Sequence, residues 1–308
     1  MADALMKARV PTTSYAWLAG PLSVVGFVVA YRHMSRSQTA RLIENVAESR
    51  NTSSGAFGLW WILIGAVGAF ALGMTLFLAT WLASAIRDTP SSCRRRLVFD
   101  LILLSVIVVA VAVLGLKTGT TGEPELAGRL TKDVRPVSAI SVLCAWPGFA
   151  AFVVIRVSCR AVPQLAGPAA VETVRRLRSL NQRLLATFGA FLTLIVVATG
   201  MRRRAILNLF PSLDVPAEQV LLYGAALALV LGFFYVSSAN AVDAQANHIL
   251  NTYAPIPPPD SVDLSDQVKR RNSLAEIVGA EGPWKAFQAS VLIAAPLLSA
   301  LIGIATSS

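Results

Sequence analysis

Asp100 is the carboxylate that the sequence sets into an apolar run, one turn inside residues 97–116 and just after Arg94-Arg95-Arg96. An ionisable group in a bilayer-length apolar stretch is costly, and proton or cation coupling is the chemistry it can perform there. The arginine triplet offers a simpler use: an ion pair between Asp100 and Arg96 near the membrane surface. Arg156, at the end of the run 137–157, reads as a cation that snorkels to the headgroups. Asp243 falls past the apolar part of its own run and is expected in water. A proton-coupled carrier needs a carboxylate deeper than these.

Other chemistry is sparse. The sequence has no G-x-S-x-G elbow, no HExxH and no phosphate-binding P-loop. With only two histidines, His33 and His248, and no CxxC pair, no zinc or haem site is expected. Cys93, Cys144 and Cys159 are odd in number, which excludes a complete disulfide framework and suits three free thiols. The Thr118-Gly119-Thr120-Thr121-Gly122 loop reads as an ordinary polar connection, and Glu123 and Glu125 beside it have no visible partner. No catalytic residue, cofactor or metal is assigned.

Two sets of small residues recur at four-residue spacing: Gly65, Ala69 and Gly73, then Gly224, Ala228 and Gly232. That spacing puts each set on one helix face and lets a second backbone approach closely. The approaching backbone belongs either to this chain or to a second copy. Pro147 and Pro296 interrupt two further apolar runs. Each lacks the amide that bonds one turn back, so each is a candidate kink or a place where freed carbonyls line a pathway.

The elements that position these residues follow from composition. The chain has 308 residues, of which 55% are hydrophobic and 14% charged, with a net charge of +10. Its mean hydropathy is +0.62. Soluble domains carry roughly 25% charged residues. The apolar residues form blocks at about 15–31, 56–86, 97–116, 137–157, 184–201, 220–237 and 286–305. A helix crosses a bilayer with ~20 apolar residues. The block 56–86 exceeds that length, so its helix must tilt or project. Trp60, Trp61 and Trp81 near its ends suit interfacial anchoring.

The fold class is therefore all-α: one polytopic transmembrane helical bundle, with six to seven spans plus short amphipathic surface helices. Surface helices are expected over residues 34–51 and 260–281, the latter with Leu264, Val268, Leu274, Ile277 and Val278 as its apolar positions. The stretch 169–183 is expected to be helical and to run into the fifth block, and the sixth is expected to continue to about residue 251. The first block is a retained helix in the simpler reading, with a cleaved leader as the alternative. Whether the last block spans is left open.

With seven spans, one side collects 16 lysines and arginines and the other 11, which favours a cytoplasmic N-terminus. Residues 1–204 carry a net +14 and residues 205–308 a net −4. Anionic headgroups are the expected partners of the basic loops. No basic stretch is interleaved with stacking aromatics, which argues against nucleic acid. An arginine- and alanine-rich composition suits a bacterial cytoplasmic membrane. The leading expectation is a non-enzymatic membrane protein that acts through helix packing and assembly with itself or a partner subunit. A channel or small-solute permease with proline-broken helices is the alternative, and a lipid-processing membrane enzyme the third.

Overall fold

The computed structural model of the chain describes residues 16–35, 45, 48, 55–88, 91–117, 125–164, 167–209, 217–255, 264–278 and 283–305. Among these residues the chain is helical almost throughout and contains no strand. They form eight α-helices: α1 (Ala16–Ser35), α2 (Gly55–Asp88), α3 (Ser91–Lys117), α4 (Glu125–Ser158), α5 (Pro168–Leu209), α6 (Glu218–Tyr253), α7 (Leu264–Val278) and α8 (Pro283–Ala305). A 3₁₀ segment, Cys159–Gln164, follows α4. Three helical stretches are long and apolar enough to cross a membrane: Gly55–Thr75, Pro168–Asn208 and Val220–Tyr253. Ser23–Arg32, Val142–Ser158 and Gln288–Ile302 are shorter apolar helical stretches.

Local chemistry explains several boundaries. Helices α5 and α8 begin on Pro168 and Pro283, because the first helical residue needs no amide donor and proline presets φ there. Gly167, at φ 58°, supplies the left-handed turn into α5, a conformation that costs glycine little. At the end of α6 the Ala254 amide still donates to Leu250 O at 2.9 Å. Pro255 follows, with no amide to continue the ladder.

Helices α2, α4, α5 and α6 meet at the centre, with α1 packed on α2 and α3 on α4. A cluster of phenylalanines fills the middle. Phe70 stacks on Phe191 at 5.4 Å, Phe149 touches Phe188 at 5.2 Å and Phe234 at 4.8 Å, and Phe152 meets Phe188 edge-on. Helix α8 lies along both α5 and α6, and α7 makes smaller contacts with the same two helices. Lipid tails are as apolar as leucine, so close packing holds helices together in a bilayer more than burial does.

Glycines mark the closest approaches. Gly26 of α1 and Gly68 of α2 meet backbone to backbone. On α6, a Cβ added to Gly224 would stand 2.9 Å from Pro296 O and 3.1 Å from Ala300 Cβ. A main-chain oxygen cannot rotate aside, so Gly224→Ala must push α8 away. We expect a loss of about 1–3 kcal/mol, measured as a lower midpoint of detergent-induced unfolding. Gly200→Ala, where a Cβ meets nothing within 4 Å, is the control and should be neutral or slightly stabilising.

The helices extend beyond several expected blocks. Residues 125–136, ahead of the expected block 137–157, belong to α4. They include Glu125, Ala127, Arg129 and Lys132, whose straight or small side chains favour helix. Helix α5 runs unbroken through the polar stretch 169–183, and α6 through its polar extension. Apart from residues 45 and 48, the expected surface helix 34–51 beyond Ser35 lies outside the described residues, as do residues 118–124, 210–216 and 256–263.

Candidate functional site

A cluster of polar contacts lies at one end of the bundle, where α3 and α5 begin and α4 and α6 finish. Its first part joins three helices. Arg156 Nη2 of α4 lies 3.5 Å from Asp100 Oδ2 of α3. Arg156 Nη1 donates to Ser237 Oγ of α6 at 3.3 Å. The expected Asp100–Arg96 pair is therefore replaced by Asp100–Arg156, with Arg96 exposed. The four-residue spacing of Arg96 and Asp100 permits a contact, but Asp100 faces α4, where Arg156 is available. Arg156 thus links α4 to α3 and α6.

The second part joins α5, α6 and α7. Ser238, fully buried, offers its hydroxyl to Asn181 Oδ1 at 2.6 Å and Tyr235 O at 2.9 Å. Arg178, only 7% exposed, donates to the Asp243 carboxylate and, at 3.1 Å, to Val278 O, the last residue of α7. Asp243 is half-exposed but paired, which corrects the expectation of a carboxylate merely in water. Arg271 of α7 in turn donates to Ala254 O at 2.6 Å and Asn251 Oδ1 at 3.1 Å. Tyr253 Oη of α6 accepts the Gly167 amide at 2.7 Å. Each helix thus satisfies an end group of the next: α5 caps α7, α7 caps α6 and α6 caps α5. Helix ends leave four backbone groups without intrahelical partners, and cationic side chains are favourable beside the exposed carbonyls.

Beside this layer lies a cavity of about 310 Å³, lined by Arg156, Cys159 and Arg160 on one wall and Ser237, Ala244 and Gln245 on the other. The Gln245 side-chain oxygen is buried without a hydrogen-bond donor. Cys159 is 2% exposed. Burial pushes its thiol up to about 12, a backbone hydrogen bond opposes this, and the Asp243 charge adds to the rise. The folded state therefore favours the neutral thiol. Its stabilisation is whole below the ordinary thiol value of 9.0 and is lost as pH climbs towards about 12. We expect Cys159 to resist maleimide at pH 8 in the folded protein and to react on unfolding. Peptide mass spectrometry after timed labelling checks this, with half-buried Cys93 labelling first.

The residues singled out from sequence fall elsewhere. Gly65 faces Phe27 of α1, at 2.8 Å from an added Cβ, while Ala69 is half-buried and Gly73 buried. Gly224 and Gly232 face α8, and Ala228 between them is buried. Pro147 is buried in α4, and its neighbour Gly148 abuts Phe188. Pro296 is buried in α8. It has no amide to donate to Leu292 O, and that oxygen comes 3.1 Å from an added Cβ on Gly189 of α5. Among these residues only Asp100 belongs to the charged layer. Among the described residues no group of His, Cys, Asp and Glu is arranged to hold a metal ion.

Sequence reasoning passed over Arg178, Asn181, Ser237, Ser238 and Gln245 as members of one layer. A usable signal was present: α5 and α6 each carry polar residues on a long helix continuous with an apolar run. Antiparallel packing of two such helices brings their polar ends together. No family model matches the chain, and no curated protein or solved structure matches it.

Proposed function

We propose that the chain is a seven-span, non-enzymatic protein of the bacterial cytoplasmic membrane that acts by assembly, with itself or with a partner subunit. Helices α1–α6 and α8 are the spans and α7 lies at the membrane surface. The charged end, which collects the larger share of arginine and lysine, faces the cytoplasm.

The outer face of α3 carries the assembly reading. This helix packs on α4 through Leu97, Leu101, Leu104 and Val108. Its remaining faces present Phe99, Ile102, Leu103, Val106 and Ile107, all at least half exposed. The small-residue faces of α2 and α6 are taken up inside the chain by α1 and α8, so an assembly contact has to use an outer apolar face, and α3 presents one.

Photo-crosslinking in native membranes tests this. A photo-reactive residue at Ile102 or Val106 should give a protein adduct of defined mass, and one at buried Leu104 should not. Lipid adducts alone from the outer positions, with a native particle the mass of a single chain, would overturn the proposal.

A further inference from the structure

The cavity beside the charged layer has a composition that selects a ligand. We infer that it binds a phosphate-class anion that also carries a hydroxyl, the charge met by Arg156 and Arg160 and the hydroxyl by Gln245. This site is independent of the outer face of α3.

Charge comes first. Two of the lining residues are ionised, Arg156 and Arg160. Asp100 is engaged by Arg156 and Asp243 by Arg178. Arg160 has neither a carboxylate nor a hydrogen-bond acceptor among the described residues, and it stands exposed at the cavity wall. One positive charge is therefore left over, on a guanidinium whose planar fork suits a phosphate. Arg156 turns one nitrogen towards Ser237, itself a wall residue. Arginine carries five N–H donors, so this nitrogen arrangement leaves capacity for a ligand oxygen.

The second observation is Gln245. Its buried side-chain oxygen has no donor partner, and an unsatisfied buried acceptor costs about 1–3 kcal/mol. Gln245 is a wall residue, and turning its amide so that the oxygen meets a ligand hydroxyl removes that cost. At about 310 Å³ the cavity sits at the lower end of small-molecule sites, which span roughly 300–1,000 Å³. That is room for a headgroup, with little to spare.

The third observation concerns where the ligand comes from. Residues one and two turns before Ser237 on the same face of α6 are Phe233 and Val230, exposed by 70% and 42%. The polar wall thus continues as an apolar strip towards the middle of the bundle. A glycerol-bearing anionic phospholipid matches both parts, with the phosphate at the arginines and an acyl chain along the strip. A free phosphate monoester satisfies only the polar wall.

The test uses the full chain in nanodiscs of phosphatidylcholine, with phosphatidylglycerol titrated in one arm and inorganic phosphate in the other. Arg160→Gln removes the unpaired charge without breaking a contact within the protein. Arg94→Gln removes an exposed charge from the same end and is the control for general attraction. Phosphatidylglycerol retention that falls about tenfold in Arg160→Gln, the loss of one charge-assisted contact, and that holds in Arg94→Gln establishes a lipid site. Inorganic phosphate binding with the same dependence on Arg160, without phosphatidylglycerol retention, establishes the site for a free anion. Equal loss in both variants, or no dependence on Arg160 in either arm, overturns the inference.

Discussion

Gly148→Ala is expected to be the most damaging single-methyl change in the bundle. A Cβ at this position would stand 1.6 Å from Phe188 Cζ and 1.8 Å from Cε2. The offended atoms are the far end of a side chain, which in open surroundings would swing away. Phe188 has nowhere to go. It is fully buried, with Phe149 at 5.2 Å, Phe152 at 6.1 Å and Phe191 at 6.5 Å around it. Overpacking a dense core costs about 1–3 kcal/mol, and an overlap this deep belongs at or above the upper end. The reading is the midpoint of detergent-induced unfolding, followed by near-ultraviolet circular dichroism of the aromatic cluster. Gly148→Ala with Phe188→Leu should recover part of the loss, because the shorter side chain vacates the Cβ position. Additive losses in the double variant would show that the clash is not the cause.

Asp243→Ala has the second large expected effect, and it acts on α7 as well as on stability. It leaves the Arg178 guanidinium buried without its carboxylate. Breaking a buried pair from one side costs about 3–5 kcal/mol, far more than the pair itself contributes. Asp243 is half-exposed, so water screens part of the interaction, and about 2–3 kcal/mol is the expected loss. Arg178→Ala has a different signature. It removes the donor to Val278 O, the bond that ties the end of α7 to α5. Trypsin cleavage after Lys269, Arg270 or Arg271 should then accelerate, while Asp243→Ala keeps that bond and accelerates cleavage less. The double variant Arg178→Ala with Asp243→Ala should be more stable than Asp243→Ala alone, because no unpaired charge remains. Equal cleavage rates in all variants would mean that α7 is held by Arg271 and its apolar contacts instead.

These two sites differ in how far the chain announces them. Pro147-Gly148 stands out as a break in an apolar run, and the sequence points to it as a kink or a pathway. The structure places a phenylalanine there. Small residues four apart are legible as close-packing faces, yet a glycine looks the same whether the approaching backbone is α1, α8 or another molecule. The closest meeting of α1 and α2 uses Gly26 and Gly68, single glycines that no spacing rule marks. The sequence pairs Asp100 with its neighbour Arg96, but the partner comes from another helix.

By itself the sequence determines the all-helical class, the apolar blocks, the polar continuations of α5 and α6, and the excess of positive charge. These properties depend on runs of residue types, and a run keeps its character whatever surrounds it. Tertiary structure alone decides that Arg156 meets Asp100 and Ser237, that Arg178 reaches Asp243 and the end of α7, and that a cavity opens beside Arg160 and Gln245. The reason is helix geometry. With 3.6 residues per turn, a one-residue change of helix phase turns a side chain by more than a quarter circle. The phase is set by how large and small side chains interlock with neighbouring helices. The polar residues then pair with whatever that packing brings within reach.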